Sequence, residues 1–105
     1  MFIHTVLLKF NSMADDAFYL AVRDHCEKIL SESEGLHELY FGRNESDRSQ
    51  GLDHTIIGRF ATSAAHDNYQ VSAAHQSMKV YMATYIEKIV VVDAEIGERT
   101  VSTPA

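Results

Sequence analysis

Phe2-Ile3-His4-Thr5-Val6-Leu7-Leu8-Lys9-Phe10 reads as a β-strand, and the alternation inside it decides the fold. Side chains two apart on a strand point the same way, so Phe2, His4, Val6, Leu8 and Phe10 share one face. Leu52–Phe60 repeats the pattern with His54, Ile56, Gly58 and Phe60. Each face carries one histidine among apolar neighbours that belong in a core. A buried imidazole without a partner is costly. Two of them on inward faces therefore point to a polar spot in an apolar cavity, where small molecules bind or react. The competing reading of each is a core imidazole satisfied by hydrogen bonds.

Working outward, Ser12-Met13-Ala14-Asp15 has the form of a capping box with Ser12 as N-cap. It precedes a helix over Met13–Ser31, whose Phe18, Val22, Cys26, Ile29 and Leu30 form an apolar stripe. Leu36–Gly42 reads as the second strand, Asn44–Gly51 as a polar loop, and Leu52–Phe60 as the third strand. Ser63–Gln70 and His75–Lys88 read as helices, the latter with Met78, Tyr81, Met82, Tyr85 and Ile86 at helical spacing. Ile89–Ile96 is the last strand. The order strand-helix-strand-strand-helix-strand is the split βαβ arrangement, an α+β ferredoxin-like sandwich. The expected division is one domain over 1–97 and a polar tail over 98–105.

Helices cover only one face of such a sheet. Yet Ile3, Thr5, Leu7, Thr55 and Ile57 make the opposite face apolar as well, and Ile89-Val90-Val91-Val92 is apolar on both sides. A sheet apolar on two sides needs a second cover. A second copy supplies it with two-fold symmetry, so a homodimer is expected.

The chain of 105 residues carries nine Lys/Arg against fifteen Asp/Glu, a net charge of −6. Without a basic cluster, nucleic acid and anionic membrane surfaces are poor partners. No apolar run approaches a membrane span, and the start lacks the cationic segment of a signal peptide. The single cysteine, Cys26, makes no internal disulfide and fits a reducing compartment, so a cytoplasmic location is expected.

The opening strand, Tyr40-Phe41-Gly42-Arg43-Asn44, Gly51-Leu52-Asp53-His54, and Tyr69 with His75 six residues on together resemble the stress-responsive A/B barrel domain family. The likeness runs from Phe2 to about Ile96. It implies a protomer that pairs sheet to sheet into a dimeric α+β barrel. Many members have no known activity, and a few are cofactor-free cyclases of plant polyketides or hydroxynitrile lyases. The resemblance implies His75 and Tyr69 as catalytic residues and His4 and His54 as pocket residues. It also places Val22, Arg23 and Cys26 where the cyclase pocket has aromatic side chains, which makes Val22 and Cys26 expected ligand-binding residues beside His4 and His54 and a different ligand the expectation. The family writes His-Pro-x-His where this chain has Ser72-Ala73-Ala74-His75. On an unbroken helix, residues six apart sit roughly 240° around the axis. Tyr69 and His75 therefore meet only if the chain kinks near Ser72–Ala74.

If they meet, His75 can take a proton from carbon beside a carbonyl while Tyr69 donates to the developing oxyanion. That describes an aldol-type cyclase, lyase or isomerase acting on a small carbonyl-bearing organic molecule. Two alternatives stand beside it: a stress-linked binding or structural dimer without catalysis, and a cofactor-free monooxygenase. No i, i+4 histidine pair and no Cys/His cluster appears, so no metal is expected, and acid–base chemistry of this kind needs no cofactor. The least favoured arrangement joins His4, His54 and one carboxylate as a facial triad. His25 and His66, each beside an aspartate on a helix, read as surface residues, and His37 as a strand-edge residue.

Overall fold

The structure is a computed structural model that describes residues 1–97. The expected tail over 98–105 lies outside the described residues. In chain order it has β1 (Phe2–Phe10), α1 (Asp16–Glu32), β2 (Leu36–Arg43), β3 (His54–Phe60), α2 (Ser63–Gln70) and α3 (Ala73–Met82). A 3₁₀ turn (Ala83–Tyr85) and β4 (Ile86–Glu95) complete it. The sheet is antiparallel in the order β2-β3-β1-β4. With the helices packed on one face, this is the expected α+β ferredoxin-like fold.

The two strand histidines sit where alternation put them, on the helix-covered face. His4 lies opposite Gly58 on β3 and Asp93 on β4, and His54 lies opposite Leu8. The core between sheet and helices contains Val6, Leu8, Phe10, Phe18, Val22, Ile29, Ile56, Phe60, Tyr69, Met78 and Met82. Gly58 leaves room that ring groups use: a Cβ there would meet Phe60 Cε1 at 2.9 Å.

Several element boundaries differ from the sequence reading. The first helix starts at Asp16, not Met13. Asn11 Oδ1 accepts from the Met13 amide, turning the chain, and Asp15 then caps the helix by accepting from the Phe18 amide. The third strand begins at His54, two residues late: the Phe10 amide, which the β1–β3 register would pair with Leu52, donates to the Asp53 carboxylate instead. The last helix ends at Met82, and β4 starts three residues early, at Ile86. Asn11 is the cause: its Nδ2 donates to Thr84 O and its amide to Tyr85 O, drawing the chain into the strand. Tyr85, in the 3₁₀ turn beyond the end of α3, still stacks on Phe18 with ring centroids 4.0 Å apart, so the apolar spacing continues past the helix itself.

Among the described residues, nothing covers the outer sheet face. Tyr40, Ile57, Thr5 and Val92 form one row across the four strands, and Gly42, Thr55, Leu7 and Val90 the next. Tyr40, Ile57, Val90 and Val92 are exposed. Among the described residues, no helix is long and apolar enough to cross a membrane.

Candidate functional site

The kink that the Tyr69–His75 pair requires is present, made without proline. α2 stops at Gln70, and Ser72 in extended backbone (φ −68°, ψ 150°) begins α3. Its hydroxyl accepts from the His75 amide at 3.2 Å, as an N-cap does. The Tyr69 and His75 rings end 4.2 Å apart. Both are buried, as is His4, whose ring lies 5.5 Å from that of Tyr69.

These three rings open onto a cleft of about 430 Å³ under α3, between Met78, Met82 and the sheet residues Val6, Leu8, Ile56, Ile89 and Val91. Ile89 and Val91 face the helical side, yet each remains about half exposed. Among the described residues no helix covers β4, and that gap makes the cleft. A larger hollow of about 690 Å³ lies on the opposite sheet face, lined by Thr5, Leu7, Ile57, Val90, the loop after Arg43 and, at its edge, His54. It holds neither Tyr69 nor His75.

His75 Nδ1 lies 3.1 Å from the Gln70 carbonyl oxygen. A carbonyl only accepts, so Nδ1 carries the proton and the neutral ring keeps its lone pair on Nε2. Burial pushes the His75 imidazole below its ordinary range, with Lys79 adding to the effect and the Gln70 carbonyl opposing it. Burial pushes the Tyr69 phenol well above its ordinary value, so it remains a donor at neutral pH. One group is thus an unprotonated base and its neighbour a protonated acid.

The remaining expected residues do not join this cleft. His54 sits at the other end of the face, stacked between Tyr19 and Phe41, with Nδ1 2.7 Å from Asp53 Oδ1. Val22 is enclosed in the core. Cys26 packs its sulfur 4.0 Å from Met78 Sδ, and burial pushes its thiol up to about 11. Neither Val22 nor Cys26 lines the cleft. His37 is exposed and His25 is half-buried against Tyr81.

The reading of His66 as a surface residue is corrected: it is 4% exposed. Its Nε2 lies 3.2 Å from His4 Nδ1, and His4 Nδ1 lies 2.5 Å from Asp93 Oδ1. Burial, then the neighbouring His4, pushes the His66 imidazole below its ordinary value. A signal was available in the sequence. His66 is three residues before Tyr69, and residues three apart share a helix face, so an inward Tyr69 carries His66 inward.

The profile of the stress responsive A/B barrel domain family matches residues 2–96, and the chain belongs to that family. No curated protein matches it. Among solved structures, it is similar to a hydroxynitrile lyase from Passiflora edulis, with a TM-score of 0.83 and 19% identity over 95% of this chain and 96% of that one. It is similar to a dimeric ferredoxin-like protein of unknown function from Jannaschia sp. CCS1 (TM-score 0.77, 24% identity, 90% and 98% covered). It is also similar to a Nitrosomonas europaea protein proposed as an antibiotic biosynthesis monooxygenase (TM-score 0.78, 14% identity, 94% and 100% covered).

Proposed function

We propose that this protein is a cytoplasmic homodimer that binds a small carbonyl-bearing organic molecule in the His4–Tyr69–His75 cleft and carries out acid–base chemistry on it. The observation that carries the reading is the Tyr69–His75 contact, 4.2 Å between rings, at the wall of an apolar cleft. His75 Nε2 takes a proton from carbon next to the carbonyl, or from a hydroxyl on the carbon whose bond will break. Tyr69 donates its hydroxyl proton in a hydrogen bond to the oxygen where negative charge gathers. His4 lines the same cleft and orients the molecule. His54, held by Asp53 at the far end, acts on the fold rather than on the ligand. The Passiflora edulis neighbour, a lyase by name, agrees with acid–base work.

The test is a histidine-ring NMR titration with benzaldehyde and acetophenone, followed by turnover assays on aldol adducts and cyanohydrins. The expected result is movement of the His75 and His4 ring signals with His37 unmoved, and turnover that falls at least about 100-fold in His75→Gln. Ring signals that never move refute the cleft as a binding site. Binding without turnover favours the non-enzymatic dimer, and ligand-dependent oxygen uptake favours the monooxygenase.

A further inference from the structure

Three donors from three separate elements meet beside the cleft: His4 from β1, His66 from α2 and Asp93 from β4. His4 Nδ1 is 3.2 Å from His66 Nε2 and 2.5 Å from Asp93 Oδ1, and His66 Nε2 is 3.7 Å from Asp93 Oδ1. Hydrogen bonding alone serves this triangle poorly. His4 Nδ1 has one in-plane direction, holding either one proton or one lone pair. With a proton, it must divide a single N–H between the carboxylate and His66. With a lone pair, it takes the His66 proton and faces a carboxylate lone pair at 2.5 Å. The 3.7 Å from His66 to Asp93 is too long for a hydrogen bond of its own. No placement of protons gives all three groups a full partner.

We propose that His4, His66 and Asp93 form a binding site for a divalent transition-metal ion of the zinc class. Two imidazole nitrogens and one carboxylate are a donor set that such ions favour. An ion about 2.0–2.2 Å from each donor sets tetrahedral donors roughly 3.4 Å apart. The two separations involving His66 straddle that value. The third needs the Asp93 carboxylate to draw back by roughly 1 Å, and that side chain, 31% exposed on an edge strand, has room to do so. The two rings have no such freedom. Phe60 meets His66 and His4 edge-on at 5.1 and 6.4 Å, Phe2 packs on His66 at 4.8 Å, and Tyr69 contacts both. The site is thus held on a rigid aromatic frame, with one ligand reachable from solvent. Three protein ligands leave a position for water or for an oxygen of a molecule in the cleft, since His4 belongs to both.

This inference does not depend on His75 acting as a base. The experiment titrates metal-free protein with Zn²⁺ and Co²⁺. Stoichiometry is read by elemental analysis, stability by melting temperature, and the site by paramagnetic shifts of histidine signals under Co²⁺. The expected result is one ion per chain, a melting temperature that rises with excess metal, and shifts largest at His4 and His66, smaller at His75, and negligible at His37. His66→Gln and Asp93→Asn weaken binding by more than about 100-fold, beyond what loss of a mere supporting group costs. His75→Gln binds as the wild type does, which separates failure of this site from failure of the catalytic reading. Sub-stoichiometric uptake, or Co²⁺ shifts centred on His25 or His37, overturns the proposal without recourse to any variant.

Discussion

Ser72 is the residue on which the cleft turns. Where the family writes a histidine it supplies a hydroxyl cap, and the missing proline at the next position is not needed to break the helix. Ala73 occupies the first helical position, where an amide proton has no partner within the helix and proline is welcome. Ser72 already has the extended backbone that a following proline demands. Ala73→Pro should therefore raise stability by about 0.4–1 kcal/mol, by restricting the unfolded chain. Urea denaturation checks this, and a loss of stability would show that α3 does not begin at residue 73. His75 makes a second prediction. Burial lowers its pKa, so near pH 6.5 the folded chain binds fewer protons than the unfolded one. Its contribution is full above the unfolded value of about 6.5 and fades as pH falls from there towards the folded value. The melting temperature should drop between about pH 7 and pH 5, and drop less in His75→Gln. Equal drops in both would mean that His75 is not buried as described.

At the scale of elements, the site depends on how α2 is seated. Gly35 carries a φ of +81°, and a Cβ there would stand 2.7 Å from Ala65 Cβ on α2. Its carbonyl also accepts from the Ala61 amide just before that helix. Gly35→Ala should cost about 1–3 kcal/mol, through backbone strain and the displaced helix. Chemical denaturation measures the cost, and a neutral result would contradict the close seating of α2. The β4 strand is the opposite case. It pairs with β1 along its whole length, but no helix among the described residues packs over it, and Ile89 and Val91 stay open. The element that leaves the core incomplete is the one that opens the cleft.

At the scale of the whole molecule, the unpaired outer face of the sheet is the dominant feature. The row Tyr40–Ile57–Thr5–Val92 and its neighbour Leu7–Val90 set exposed Tyr40, Ile57, Val90 and Val92 side by side, the kind of contiguous apolar surface that marks an interface. The proposed homodimer buries that face against its copy. A charge at its centre, Ile57→Lys, should convert the dimer to a monomer that still folds, because the side chain points away from the core. Sedimentation equilibrium distinguishes the two states. A wild-type chain that sediments as a monomer at micromolar concentration would remove the basis for the pairing.

Alternation of period two places His4 and His54 inward, because strand faces follow from local geometry alone, and the helical stripes between the strands supply the rest of the element order. The apolar outer face was legible for the same reason. Element ends were not, since the side chains of Asn11 and Asp53 diverted backbone groups in ways that residue types do not announce. Neither could the sequence decide which inward groups share a space. His4 and His54 lie on one face yet at opposite ends of it, while His66 and Asp93 arrive beside His4 from elements 62 and 89 residues away. Proximity between distant segments is set by how helices and an edge strand pack over a sheet, and only the tertiary structure carries that information.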